Sequence, residues 1–155
     1  MLDCEKGRSF LPAGQKMPLP NWPMVSDQYK KHRLANHRDW NASKARKMSL
    51  DDPPNAQFNP HELPNPEQIE ALERLCITKG TPITDLSDTS RKRHEFYLDC
   101  RTILALPRST IRPISIVGYS SGELTPFILT KWNSSGGFHG QPITESELRT
   151  RGIQT

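Results

Sequence analysis

The chain has 155 residues, 34% apolar content, 14 prolines and a net charge of +4. That is length for one ordinary domain, but fewer apolar side chains than a well-filled core draws on. With a mean hydropathy of −0.70 and no apolar run near the roughly 18 residues of a spanning helix, no membrane partner is expected. The modest positive charge fits an acidic partner surface without singling out nucleic acid.

Nine of the prolines precede residue 67, and residues 1–25 read as an extended arm, because Pro12, Pro18, Pro20 and Pro23 forbid a sustained helix or central strand. The run Met17-Pro18-Leu19-Pro20-Asn21-Trp22-Pro23-Met24 interleaves prolines with large apolar groups. Such a segment suits docking into an apolar groove on another protein, or folding back as a lid over this one. Residues 26–48 are basic: Lys30, Lys31, Arg33, Arg38, Lys44, Arg46 and Lys47 face one acid, Asp39. Asp27 can cap a helix over 27–47 that returns Tyr29 and Trp40 to nearly one face. The segment fits an acidic protein surface, RNA gripped through phosphates and stacking, or a solvated helix face. Residues 49–64 are a linker of turn chemistry, with Leu50, Phe58 and Leu63 as its only apolar anchors.

The clearest folded unit spans 65–107. Asn65 caps a helix over about 66–79, with Pro66 in its first turn and Ile69, Leu72, Leu75 and Cys76 forming one stripe. Gly80 is placed to close it in the left-handed conformation. After a polar loop, Ser87 or Asp88 caps a second helix over about 88–106, with Phe96, Cys100, Ile103 and Leu104 on one side and Arg91, Lys92, Arg93 and Glu95 on the other. Such a helical hairpin leaves both stripes needing a cover, from the arms or from a partner. Cys76 and Cys100 lie on the stripes and read as buried reduced thiols.

Residues 108–155 begin with Ile111 to Val117 as an edge-strand candidate ended by Gly118; Phe127 to Leu129 is a second, so a small β-hairpin is expected over about 111–130. Asn133 to Gly140 reads as a Gly/Ser-rich loop. Thr144 with Glu147 three residues on makes a capping box for a short last helix.

The one catalytic-looking motif is Gly118-Tyr119-Ser120-Ser121-Gly122, which matches the nucleophile elbow of serine hydrolases. Pro126 interrupts the helix that should follow, and the only later histidine, His139, sits in a Gly-rich stretch. A hairpin turn explains the motif more simply. His32, His37, His61, His94 and His139 are scattered without metal-ligand spacing, and no phosphate loop is present.

The expected architecture is mainly α with extended irregular arms: an arm over 1–64, the helical hairpin over 65–107, a β-hairpin and C-terminal arm over 108–155, and no large independent core. The expected function is a non-enzymatic subunit, without cofactor or metal, that staples partner proteins in a large assembly; an acidic lattice such as a microtubule is favoured. Its basic contacts would be Lys30, Lys31, Arg33, Arg38, Lys44, Arg46, Lys47, Arg91, Lys92 and Arg93, and its apolar anchors Trp22, Tyr29, Trp40, Phe58 and Trp132. The alternatives are an RNA-contacting subunit of a ribosome-like ribonucleoprotein and, more remotely, a hydrolase using Ser120. Early Asp3 and Glu5 are unlike a transit peptide, so a cytoplasmic or cytoskeletal setting is expected, with a mitochondrial one also open.

Overall fold

The computed structural model describes residues 18–26, 32, 42–50, 56–59, 61–63, 65–103 and 112–153. Among them are eight strands in two sheets and three helices. The expected mainly-α architecture is therefore corrected to a mixed fold dominated by sheet.

The larger sheet has the order β1-β8-β7-β4-β3, made of β1 (Val25–Ser26), β3 (Thr81–Pro82), β4 (Arg93–Asp99), β7 (Phe127–Asn133) and β8 (Gly137–Ile143). All its neighbours are antiparallel except β1 with β8. Strands from all three sequence segments share this sheet. The smaller sheet, β2-β5-β6, joins β2 (Gln57–Phe58), β5 (Gly118–Ser120) and β6 (Glu123–Thr125). The helices are α1 (Ala42–Ser49), α2 (Pro66–Lys79) and α3 (Glu145–Thr150).

The second helix of the expected hairpin does not form. Residues 93–99 are β4, followed by a 3-10 turn at Cys100–Thr102. Phe96, Cys100 and Ile103 do enter the core, so the apolar spacing was real but its period was misleading. In β4 burial alternates: His94 and Phe96 point inward, while Arg93, Glu95 and Tyr97 point to the other face. Seven register pairs with β7, from Arg93↔Asn133 to Asp99↔Phe127, outweigh the local helix preference. Ser87 and Asp88 cap nothing. Asp85 accepts from the Ser87 backbone and hydroxyl, and Asp88 likewise from Ser90, giving two successive turns that lead into β4.

The first helix, α2, covers one face of the large sheet. Its cap is in place: the Asn65 side chain accepts from Gln68 N at 3.0 Å. Leu72, Cys76 and Ile77 pack on Phe96, Ile128, Trp132 and Phe138. Gly80 is not left-handed, having φ −74°. A glycine is required there for another reason: a Cβ would stand 2.3 Å from the Cys76 carbonyl oxygen and 2.6 Å from that of Tyr97.

The C-terminal third is more ordered than expected. Residues 112–117 are irregular, and Gly118 starts a strand rather than ending one. Ser121 and Gly122, with φ of 50° and 80°, join β5 to β6 in a mirror-image hairpin turn. The presumed Gly/Ser loop is a tight turn at 134–136 followed by β8. Thr144 and Glu147 form the capping box of α3, whose Leu148 closes a second cluster with Phe127, Leu129 and Ile143 on the other face of the sheet.

Of the candidate helix over 27–47, only His32 and residues from 42 onward fall within the described residues; there α1 packs against β5 and β2. Leu19, Trp22 and Met24 lie against this chain's own core. Gly80→Ala should lower unfolding stability by about 2 kcal/mol, through overpacking against two backbone carbonyls. Urea unfolding of the variant beside the wild type checks this.

Candidate interaction surface

The two faces of the large sheet differ in how far they are covered. On the second face, α3 and Ile153 shield only the end built from Phe127, Leu129, Ile143 and Tyr97. The rest is polar. Glu95, Lys131 and His139 stand side by side across β4, β7 and β8, and all three are half-buried. Arg93 and Asn133 form the next row toward the strand ends.

Arg151, directly after α3, reaches back over this row. Its Nη1 lies 2.7 Å from Glu95 Oε1, while Arg93 Nε lies 3.7 Å from Glu95 Oε2. One carboxylate thus serves two guanidiniums, with Lys131 opposite it in register. The backbone holds Glu95 in place: Ile83 N donates to its carbonyl at 2.8 Å, and its own N–H donates to Thr84 Oγ1 at 3.2 Å. Arg91 and Lys92 extend the positive region; both are exposed, and Arg91 Nε donates to Arg93 O.

The basic residues expected from sequence do not all converge. Arg91, Lys92 and Arg93 open β4 beside this face. Lys44, Arg46 and Lys47 are exposed on α1, which packs on the small sheet instead. Arg46 Nε donates to Gly122 O at 3.0 Å, tying α1 to the hairpin turn. Lys30, Lys31, Arg33, Arg38, Tyr29 and Trp40 lie outside the described residues.

The apolar anchors take a different place from the one expected. Phe58 and Trp132 are 2% and 1% exposed, leaving no surface to offer a partner. Trp22 stacks on His94 with ring centroids 5.1 Å apart and meets Trp132 edge-on at 5.2 Å. Trp132 Nε1 donates to Pro23 O at 2.8 Å. The Pro-rich segment therefore acts within this chain as a strap over the core.

Ser120 is 4% exposed and its hydroxyl donates to Glu147 Oε1 at 2.7 Å. Ser121 donates to Oε2 of the same carboxylate at 2.9 Å. Burial raises the Glu147 pKa, but hydrogen bonds from Thr144, Ser120 and Ser121 outweigh it and hold the carboxyl below its ordinary value. Ser120 ends a strand that turns into another strand, whereas an elbow needs a strand-to-helix turn. His139 stands in the Lys131 row of the large sheet, on a different element from the Ser120–Glu147 pair. The motif thus closes a hairpin and fastens it to α3.

An open depression of about 310 Å³ lies between β6 and α3. Its two arginines are engaged, Arg101 with Asp99 at 2.8 Å and Arg149 with Glu145 at 2.8 Å. Among the described residues, no three His, Cys, Asp or Glu side chains assemble as a metal-ligand set, and no helix is long and apolar enough to cross a membrane. Cys76 and Cys100 are free buried thiols, and burial pushes the Cys100 thiol well above its ordinary value.

Sequence reasoning missed Lys131, His139 and Arg151. Lys131 and His139 acquire their place only through strand register, and Arg151 through the fold-back of α3; nothing local marks them. No family model matches this sequence, and neither a curated protein nor a solved structure resembles it significantly.

His94, 1% exposed, shares a 2.7 Å hydrogen bond with Thr84 Oγ1. Burial, aided by nearby Arg91 and opposed by Asp88 and Asp85, lowers its pKa from 6.5. The unfolded chain then takes up this proton more readily than the folded one, so the contribution is favourable above about pH 6.5 and is lost as pH falls toward the folded pKa. Urea unfolding at about pH 7.5 and pH 5.5 should show wild-type stability falling with acid, with a shallower fall in His94→Gln.

Proposed function

We propose that this protein is a non-enzymatic binding module that docks onto a carboxylate-rich protein surface through the polar face of its large sheet. The observation that carries this reading is the charge excess there: among the described residues Arg93, Lys131 and Arg151 surround one acid, Glu95, and beyond them come Lys92 and Arg91, the latter beside Asp88 and Asp85. A half-buried surface with an excess of one sign focuses its field outward and draws in the opposite charge. An acidic polymer lattice such as a microtubule is one such partner.

An RNA partner is the second reading, and the aromatic side chains of the described residues lend it no support. Sequence-tolerant binding of single strands depends on exposed rings for base stacking. Among the described residues no aromatic is counted with the exposed large hydrophobics, which are Val25, Leu50 and Leu124. Tyr97 and Phe127, two rings on this face, pack against each other at 6.4 Å.

Fluorescence anisotropy with a labelled oligoglutamate peptide and a labelled oligouridylate tests the proposal. The peptide should bind, losing roughly tenfold in affinity from low to physiological salt, with Lys131→Glu and Arg93→Glu each weakening it by about as much. Tighter binding of the oligouridylate would overturn the assignment in favour of RNA.

A further inference from the structure

We infer that Glu95 is an internal ligand of this cationic face, occupying the position that a carboxylate of an acidic partner segment takes on binding. The inference rests on the proposed function and names the partner's chemistry and how the free site is held.

The geometry has the form of a filled carboxylate receptor. Arg93 and Arg151 come from different elements, one opening β4 and one following α3, yet they approach opposite oxygens of the same carboxylate. The Glu95 side chain is only 12% exposed, whereas those of Arg93 and Arg151 are 53% and 38% exposed. The acid is sunk in the sheet face, and both guanidiniums remain open to solvent on their outer sides.

A guanidinium carries five N–H donors. The salt-bridge contacts to Glu95 engage Nη1 of Arg151 and Nε of Arg93, so each fork retains donors for a second, incoming carboxylate. At 3.7 Å the Arg93 contact is an ion pair without hydrogen-bond geometry. The guanidinium side of each pair is open to water, and a long contact such as that of Arg93 is weak. Arg151 sits at the exposed C-terminal cap of α3, where its side chain can leave Glu95 while Leu148 stays buried.

A carboxylate-rich peptide suits the site better than an isolated anion. Arg91 and Lys92, both exposed and directly before β4, follow Arg93 along the chain, so an extended acidic segment finds further cations beyond the Arg93–Arg151 pair. Glu95 thus sets a threshold: it keeps Arg93 and Arg151 oriented in the free protein and competes with each arriving carboxylate.

The test compares labelled oligoglutamate binding to the wild type, Glu95→Gln, Glu67→Gln and Lys131→Glu. Glu67 is an exposed acid on α2, on the opposite face of the sheet, and controls for a plain change of charge. Glu95→Gln should bind about threefold to fivefold tighter than the wild type, and Glu67→Gln should bind as the wild type does. Thermal unfolding checks that each variant is folded; Glu95→Met, of similar length, stands in if the Gln variant is not. If the wild type binds, with salt dependence and weakening by Lys131→Glu, but removing the Glu95 charge brings no gain beyond that of Glu67→Gln, the internal-ligand inference is overturned while the binding reading stands. If neither the wild type nor the Glu95 variants bind the peptide, the binding reading falls and this inference with it.

Discussion

The constraint on which the rest of the structure depends is that β7 carries buried apolar side chains on both faces and is hydrogen-bonded on both edges. It pairs with β4 along one edge and β8 along the other. Ile128 and Trp132 point into the core under α2, while Phe127 and Leu129 point to the opposite side. A strand in that position needs two separate covers. α2 supplies a full one, but α3, with six residues, reaches only part of the second face. Beyond the reach of α3 the described residues of that face are polar, with Lys131 between Glu95 and His139. The candidate interaction surface is thus a consequence of the short third helix.

Closing the edges of the sheet occupies much of the remaining chain. An open strand edge invites unwanted pairing. β3 limits one side to two residues, the second of them Pro82, which cannot donate to a further strand. On the other side β1 pairs with the start of β8 only. Further along β8, the carboxylate of Glu73 on α2 accepts from Gly140 N at 2.7 Å. Glu73 is 1% exposed, and a buried acid is tolerated because it satisfies a backbone donor. The Trp22 strap belongs to the same edge, continuing into β1 and held by the Trp132 indole.

The small sheet joins the main core through Phe58 and is fastened further by side-chain hydrogen bonds. Its hairpin turn lies between two helices: Ser49 of α1 accepts from Gly122 N at 2.8 Å, and Glu147 of α3 accepts from Ser120 and Ser121. Leu50 covers Gly122. These contacts hold α3 in position, and the position of α3 carries Arg151 back to Glu95. The serines that resemble a catalytic motif therefore support the cationic face indirectly, by fixing the helix that completes it.

Local chemistry in the sequence determined the elements whose signals are local. The helix begun by Asn65 and Pro66 and the capping box of Thr144 and Glu147 are legible because a cap and the backbone donor it accepts from lie within three residues of each other. The positive character of Arg91, Lys92 and Arg93 was legible too. Tertiary structure alone decided that Phe96, Cys100 and Ile103 enter the core from a strand and a 3-10 turn, since their spacing fits a helix equally well until β7 offers seven register pairs. It alone drew Trp22, Phe58 and Trp132 inward, where an exposed arm with partner anchors had been the expectation. It alone placed Lys131, His139 and Arg151 around Glu95. Lys131 lies 36 positions from Glu95 and is brought beside it by strand register, as His139 is beside Lys131, while Arg151 arrives through the fold-back of α3; both depend on the whole sheet.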